Sequence, residues 1–229
     1  MGESAAVRSR NPRGQGERLR EELLRATERL LEEVGSEDAL SLRAVAREAG
    51  VAAPSIYRHF ADKTELVWAA LEVSYERLTA AMDEESAAAG TDDPVDLLRA
   101  RLRAYCRYAV DHPAKYRLLY ETRQTPVEPE RLAGHPAGRL VRGLHDALAA
   151  CEAAGWRVRG TREEAPYVLW AAVHGRVMLW QVMPSRKDAG RLYRFVDEIL
   201  GLLMERDGRQ AEPESRRPEA GGPPPERAN

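Results

Sequence analysis

Apolar residues return at steps of three and four along most of the chain, the period of helices with one buried face, and predict nine helices in succession. Leu19, Leu23, Ala26, Leu30, Leu31 and Val34 form the first stripe, and Gly35 stops it. A short second helix starts at Ser41 as N-cap, buries Leu42, Val45, Ala46 and Ala49, and breaks at Gly50. A third runs from Ala53 to Phe60, with Pro54 in its first turn. Asp62-Lys63-Thr64-Glu65 has the form of a capping box and opens a fourth, carrying Leu66, Val67, Ala70, Leu71, Leu78 and Met82. Past Gly90, Asp93 caps and Pro94 opens a fifth with Val95, Leu98, Leu102, Tyr105, Cys106 and Ala109, ended by Asp111-His112-Pro113. A sixth helix covers 114–121, and the Pro- and Gly-rich stretch 122–136 reads as a long loop. Leu140, Leu144, Ala147, Leu148 and Cys151 mark a seventh helix, stopped near Gly155. Thr161-Arg162-Glu163-Glu164 is a second capping box opening an eighth, although Pro166 then falls a turn deep.

The run Tyr167 to Met183 is apolar almost all round, so that helix is covered on several sides. It is short for a membrane span and is interrupted by His174, Arg176 and Gln181, so its spare face is expected to meet a second subunit and no membrane partner is expected. A ninth helix with Leu192, Phe195, Val196, Ile199 and Leu203 closes the chain and shares that interface, for which Val177, Trp180, Leu192, Phe195, Val196 and Ile199 are the candidates. Residues 1–16 read as a flexible basic arm and 206–229 as a disordered tail. Between them, 17–62 form a three-helix unit and 63–205 a larger helical domain for ligand binding and dimerisation, giving an all-α fold.

Composition supports the helices: isoleucine occurs only at 56 and 199 and phenylalanine only at 60 and 195, while Ala, Leu, Glu and Arg fill the rest. With 35 Lys and Arg against 37 Asp and Glu, the chain is no polycation, and any nucleic-acid contact must be local. Cys106 and Cys151 lack metal-site spacing and a disulfide framework, which fits a reducing cytoplasm. Met1 to Val7 offers no apolar signal-peptide core, and Ala6 stands where a myristoylation pattern wants Ser or Thr. The histidines at 59, 112, 135, 145 and 174 show no metal-ligand spacing, and GxSxG, HExxH and phosphate-binding glycine loops are absent. Asp92-Asp93 and Glu163-Glu164 sit at helix starts, where acids favour the dipole. No enzyme activity, cofactor or metal is expected.

Residues 41–60 read helix, glycine-containing turn, helix, directly after a long amphipathic helix, which is a helix-turn-helix pattern. Ala46, Ala49, Gly50, Ala52 and Ala53 supply the small residues that let the two helices approach. Ser41, Arg43, Tyr57, His59 and Lys63 can reach phosphates, and Arg58 carries the fork that suits guanine. Ala53 and Ser55 complete the candidate DNA-facing set.

The stretch from Leu42 to Val51 and from Ser55 to Leu66 resembles the signature of TetR-family transcriptional regulators, above all in Val45-Ala46, Ala49-Gly50-Val51, Tyr57, His59-Phe60, Lys63 and Leu66. The resemblance implies that Tyr57 and Lys63 contact phosphate and that Phe60 is a buried anchor. Two positions depart from the pattern: Ala52 replaces a usual Ser, and Pro54 a usual Gly. Trp170-Ala171-Ala172-Val173-His174-Gly175 resembles the Trp, His-Gly element of WHG-type C-terminal domains in one branch of the family. Trp170, His174 and Met178 share a helix face, and with Tyr105, Tyr108 and Tyr116 they are the candidate lining of an apolar ligand pocket. His174 reads equally as a core histidine bonded to a neighbouring carbonyl. The resemblance implies a homodimeric repressor, binding a near-palindromic double-stranded operator and released by a small, largely apolar effector of unknown identity. The rival readings are a ligand-independent helix-turn-helix DNA-binding protein and an all-α enzyme using the aromatic cavity.

Overall fold

A computed structural model of the chain describes residues 15–183 and 188–206. The basic arm, apart from Gln15 and Gly16, and the tail beyond Arg206 lie outside the described residues. Within them the structure is all-α, with a single two-stranded ribbon. Helix α1 (Gln15–Val34) begins two residues inside the expected arm and buries Leu23, Ala26 and Leu31, while Val34 faces outward. Gly35, at φ 65°, ends it in the left-handed conformation that a side chain would resist.

Helix α2 (Leu42–Glu48) buries Val45 and Ala46 and is followed by Gly50 at φ 69°. Ser41 stands at its N-cap with extended backbone, but its hydroxyl makes no capping bond. The next segment, Ala53–Arg58, winds as a 3₁₀ helix instead of the expected α-helix. Ala52 offers no side-chain oxygen to its first turn and Pro54 no N–H, so the turn closes with the shorter bond from Ser55 N to Ala52 O at 2.8 Å. Ile56 and Phe60 are buried and pin the segment to the core.

Helix α3 (Lys63–Ala87) runs from this unit into the rest of the molecule. Its cap is the predicted one: Asp62 Oδ1 accepts from Glu65 N at 2.7 Å, while the Glu65 carboxylate reaches back to Ala61 N. Such a cap contributes about 1 kcal/mol. Helix α4 (Pro94–Asp111) starts as predicted, with Val95 N donating to Asp93 Oδ1 at 2.8 Å. Helix α5 (Pro113–Glu121) follows at once, and the long loop contains one turn of helix, α6 (Pro129–Leu132).

Helices α7 (Gly138–Ala153), α8 (Ala165–Val182) and α9 (Gly190–Leu203) complete the fold. Because α8 starts at Ala165, Pro166 lies in its first turn, where a missing N–H costs nothing, and the expected start at Thr161 was one turn early. Strands β1 (Trp156–Val158) and β2 (Met204–Arg206) pair antiparallel and tie the end of α7 to the end of α9. Their three residues each are too short for a period to register. Among the described residues no helix is long and apolar enough to cross a membrane.

Candidate nucleic-acid interface

The short helix α2 and the 3₁₀ segment turn their apolar residues inward, which leaves Ser41, Arg43, Tyr57 and Arg58 exposed on one unit. Tyr57 is 61% exposed, unusual for so large a ring, and Arg58 donates to Ser55 Oγ at 2.9 Å. Ala53, Ser55 and His59 are half-buried along the same segment. Lys63 is placed differently: its ammonium donates to the carbonyl of Glu37 at 2.8 Å, so one of its three protons is already committed. Arg20 lies over the ring of Phe60 at 5.4 Å, covering the anchor from outside.

Of the six expected pocket residues, four come together. Tyr116 Oη lies 2.7 Å and Tyr105 Oη 3.2 Å from His174 Nδ1, the two phenols are 3.0 Å apart, and Trp170 Nε1 donates to Tyr105 Oη at 3.3 Å. The indole donates into this set at Tyr105, and each phenol can both donate and accept within it. Burial holds the His174 pKa below the ordinary histidine value and raises those of Tyr105 and Tyr116. His174 thus bonds to phenols, and a carbonyl partner is not what it meets.

Tyr108 lies elsewhere, packed on His112 at 5.0 Å and lining a separate cleft with Glu85 and Arg107. Met178, one turn past His174, is half-buried against the core. Tyr120, which the sequence offers with Trp180 as further aromatic surface for such a cavity beside the six-residue lining, has its ring 4.4 Å from His174, and Tyr75, His135 and Trp68, which sequence reasoning left out, continue the aromatic cluster. Burial pushes the Cys106 thiol up to about 12 and the Cys151 thiol to about 11, so neither is nucleophilic at neutral pH.

The expected dimer face needs correction. Val177, Leu192 and Val196 are fully buried inside the chain itself, where α9 packs on α8 and α4, so they cannot present a surface to a partner. Phe195, Ile199 and Trp180 are half-buried. The outward stripe of α8 is instead Val168, Ala171, Gly175, Leu179 and Val182, with Leu179 49% and Val182 70% exposed. Phe195 of α9 lies beside it with Arg176 over its ring, and Leu202 of α9 is exposed.

Known proteins match both halves. The profile described as "Bacterial regulatory proteins, tetR family" covers residues 23–70, which contain the unit just described, and "Tetracyclin repressor-like, C-terminal domain" covers 98–203. The chain belongs to the TetR family. An HTH-type transcriptional regulator of Mycobacterium tuberculosis is 36% identical over 132 residues, 56% of this chain and 54% of that protein. The chain thus spans about half the length of the curated relatives it matches most extensively. The structure of NalD, the secondary repressor of the MexAB-OprM multidrug efflux pump in Pseudomonas aeruginosa, aligns with TM-score 0.60 at 24% identity, covering 84% of this chain and 98% of that one. SmeT, repressor of the Stenotrophomonas maltophilia efflux pump SmeDEF, aligns with TM-score 0.59 at 21% identity over 82% and 91%. At these identities the structural likeness is one of fold.

Within this TetR-family chain, the head comprises α1, α2 and the 3₁₀ segment. A buried carboxylate, Glu28 of α1, accepts from Ser74 Oγ and from Arg77 at 2.9 Å each, tying the head to α3. Asp62, which caps α3, is held below the usual carboxylate range by the Arg131 guanidinium and then by the Glu65 amide.

Proposed function

We propose that the chain is a DNA-binding transcriptional regulator acting as a homodimer on a near-palindromic double-stranded operator, and that it is a repressor released by a small, largely apolar effector. The observation that carries the DNA-binding part is the exposure of Arg43, Tyr57 and Arg58 together on the helix-turn-helix unit, while Val45, Ala46, Ile56 and Phe60 hold that unit rigid from behind. Arg58 reads a base edge, and Arg43, Tyr57, His59 and Lys63 lie on phosphates, with Ser41, Ala53 and Ser55 along the contact. The repressor role draws support from the two fold relatives described as efflux-pump repressors. The matched relatives are regulators, which also favours this reading over an enzyme.

For the dimer, the outer stripe of α8 supplies the surface. A Cβ added at Gly175 would meet nothing within 4 Å inside the chain, so this mid-helix glycine has no packing reason of its own. Relative to alanine it costs about 1 kcal/mol, offset where a partner helix comes close. The effector site is the cluster of Tyr105, Tyr116, Trp170 and His174, with Tyr120 and Met178 beside it. Its hydrogen bonds run among its own groups, an observation that favours the second reading, a ligand-independent DNA-binding protein.

Selection of duplexes from a random library by the full chain, followed by a salt titration, tests the first reading. Enrichment of a symmetric site whose binding weakens steeply with salt is the expected result, and failure to enrich any site overturns it. Thermal melting with a set of lipophilic compounds separates the two readings, because a bound effector raises Tm by mass action and must then lower affinity for the enriched site.

A further inference from the structure

We propose that residues 122–137, the segment between α5 and α7, form a strap that positions the DNA-reading head against the aromatic core, with Glu37 and Asp62 as its two anchor points. The first anchor is the turn between α1 and α2. Glu37 there is 0% exposed, and its carboxylate accepts from Thr64 Oγ1 at 2.6 Å and from the backbone N of Thr125 at 3.0 Å. Its own N–H donates to Arg123 O at 2.8 Å, and Arg123 N donates to Gly35 O at 3.0 Å, a short parallel bridge between turn and strap. Thr125 Oγ1 adds a bond to Asp38 at 3.0 Å.

A buried carboxylate is costly unless its oxygens are bonded, and here the bonds come from two other parts of the chain, α3 and the strap. The same residue's carbonyl accepts from Lys63, so the turn also orients a cation assigned above to phosphate.

The second anchor is the start of α3. Both terminal nitrogens of Arg131, on α6, donate to the two oxygens of Asp62 at 3.0 Å each. This planar fork on a carboxylate fixes direction as well as distance. Asp62 lies four residues past the 3₁₀ segment, so the pair holds the head at its recognition end while Glu37 holds it at its bracing end.

The strap's other side rests on the core. Arg131 lies over the Trp68 ring at 5.5 Å, and His135 packs edge-on against Trp68 at 5.3 Å and against Tyr75 at 6.5 Å. His135 is fixed within the strap, facing Gln124 Oε1 at 3.0 Å and accepting from Ala137 N at 3.1 Å. From Tyr75 the ring contacts continue through Tyr120 at 6.1 Å to His174 at 4.4 Å. Side chains in contact therefore run without a gap from His174 to Asp62, and the strap within that run touches both ends of the head.

In a dimer, the angle of each head against its core sets the distance between the two reading surfaces, so the strap is the element that fixes half-site spacing. That consequence rests on the DNA-binding reading; the strap itself does not. Hydrogen exchange on the full chain without DNA tests the strap through Arg131→Gln, Asp62→Asn, which retains a capping oxygen, and Glu37→Gln. Amides of residues 42–58 should exchange about threefold faster in the first two and about tenfold faster in the third. The double variant Arg131→Gln with Asp62→Asn should be no faster than either alone, while amides of α4 keep wild-type rates. Wild-type rates in the head, equal acceleration in α4, or additive effects of the pair would each overturn the strap.

The positioning role is read on duplexes enriched by the wild-type chain and then lengthened by one base pair at the centre. Wild type should lose affinity sharply and the strap variants several-fold less; variants with unchanged spacing preference refute positioning. If wild type enriches no duplex, the DNA-binding reading fails while the exchange measurements still decide the strap.

Discussion

The head and the aromatic core handle their polar groups in opposite ways. In the head, Arg43, Tyr57 and Arg58 point outward, and the packing behind them is apolar and small. In the core, Tyr105, Tyr116, Trp170 and His174 face one another and hydrogen-bond among themselves through the two phenols, the indole N–H and His174 Nδ1. An exposed surface, where even the bond from Arg58 to Ser55 lies in solvent, is ready to bind something else, whereas a buried network must be opened or entered first. The head therefore reads as preorganised and the core as the place where a ligand would have to displace existing bonds.

The contrast is broken most forcefully at α9. Leu192→Asp puts a carboxylate where the side chain is fully buried, and should cost about 4 kcal/mol or more, read as loss of the cooperative melting transition. Leu179→Asp, on the outer stripe of α8, should leave melting of the subunit cooperative and yield monomers by sedimentation. If Leu192→Asp folds and Leu179→Asp still dimerises, the assignment of inner and outer faces is wrong.

Arg58→Ala should remove roughly 1–3 kcal/mol of discrimination at one base pair per half-site and leave random-sequence binding almost unchanged. Equal losses on both duplexes would make Arg58 a backbone contact and blur the division between reading and bracing residues.

Acid should sharpen the contrast, because burial lowers the pKa of His174 and His135 while Arg43, Tyr57 and Arg58 stand exposed. Both pKa values are lowered in the folded chain, so the unfolded chain takes up protons first. Their contribution is complete above the ordinary histidine pKa of about 6.5 and is lost as pH falls from there toward the depressed folded values. Tm should drop between about pH 7.5 and about pH 5, and His174→Gln should show a smaller drop. An identical pH dependence in the two proteins would show that His174 carries no part of it.

The smallest effect belongs to Lys63→Ala, which loses the bond to the Glu37 carbonyl as well as a phosphate contact. Stability should fall by about 1 kcal/mol, and binding to all duplexes should weaken alike with a shallower salt slope. An unchanged salt slope would mean that the lysine serves the turn alone.

The helices, the caps at Asp62 and Asp93 and the helix-turn-helix unit were legible because each depends on neighbours within a few residues, where spacing and side-chain type act directly. Ala52 and Pro54 likewise held the local cause of the 3₁₀ turn, although the pattern alone read it as α-helix. The stripe of α9 was visible too, but periodicity reports that a face is buried and is silent about what buries it. Only packing decided that Leu192 and Val196 meet α8 and α4, and that α8 turns Leu179 and Val182 outward. The same limit hid the strap: Glu37 with Thr125, and Arg131 with Asp62, are pairs distant in the chain that carry no common period. Sequence by itself determined the principal helices and the helix-turn-helix pattern of the head. Tertiary structure decided which faces meet, since burial and long-range hydrogen bonds belong to the assembled helices and to no single one of them.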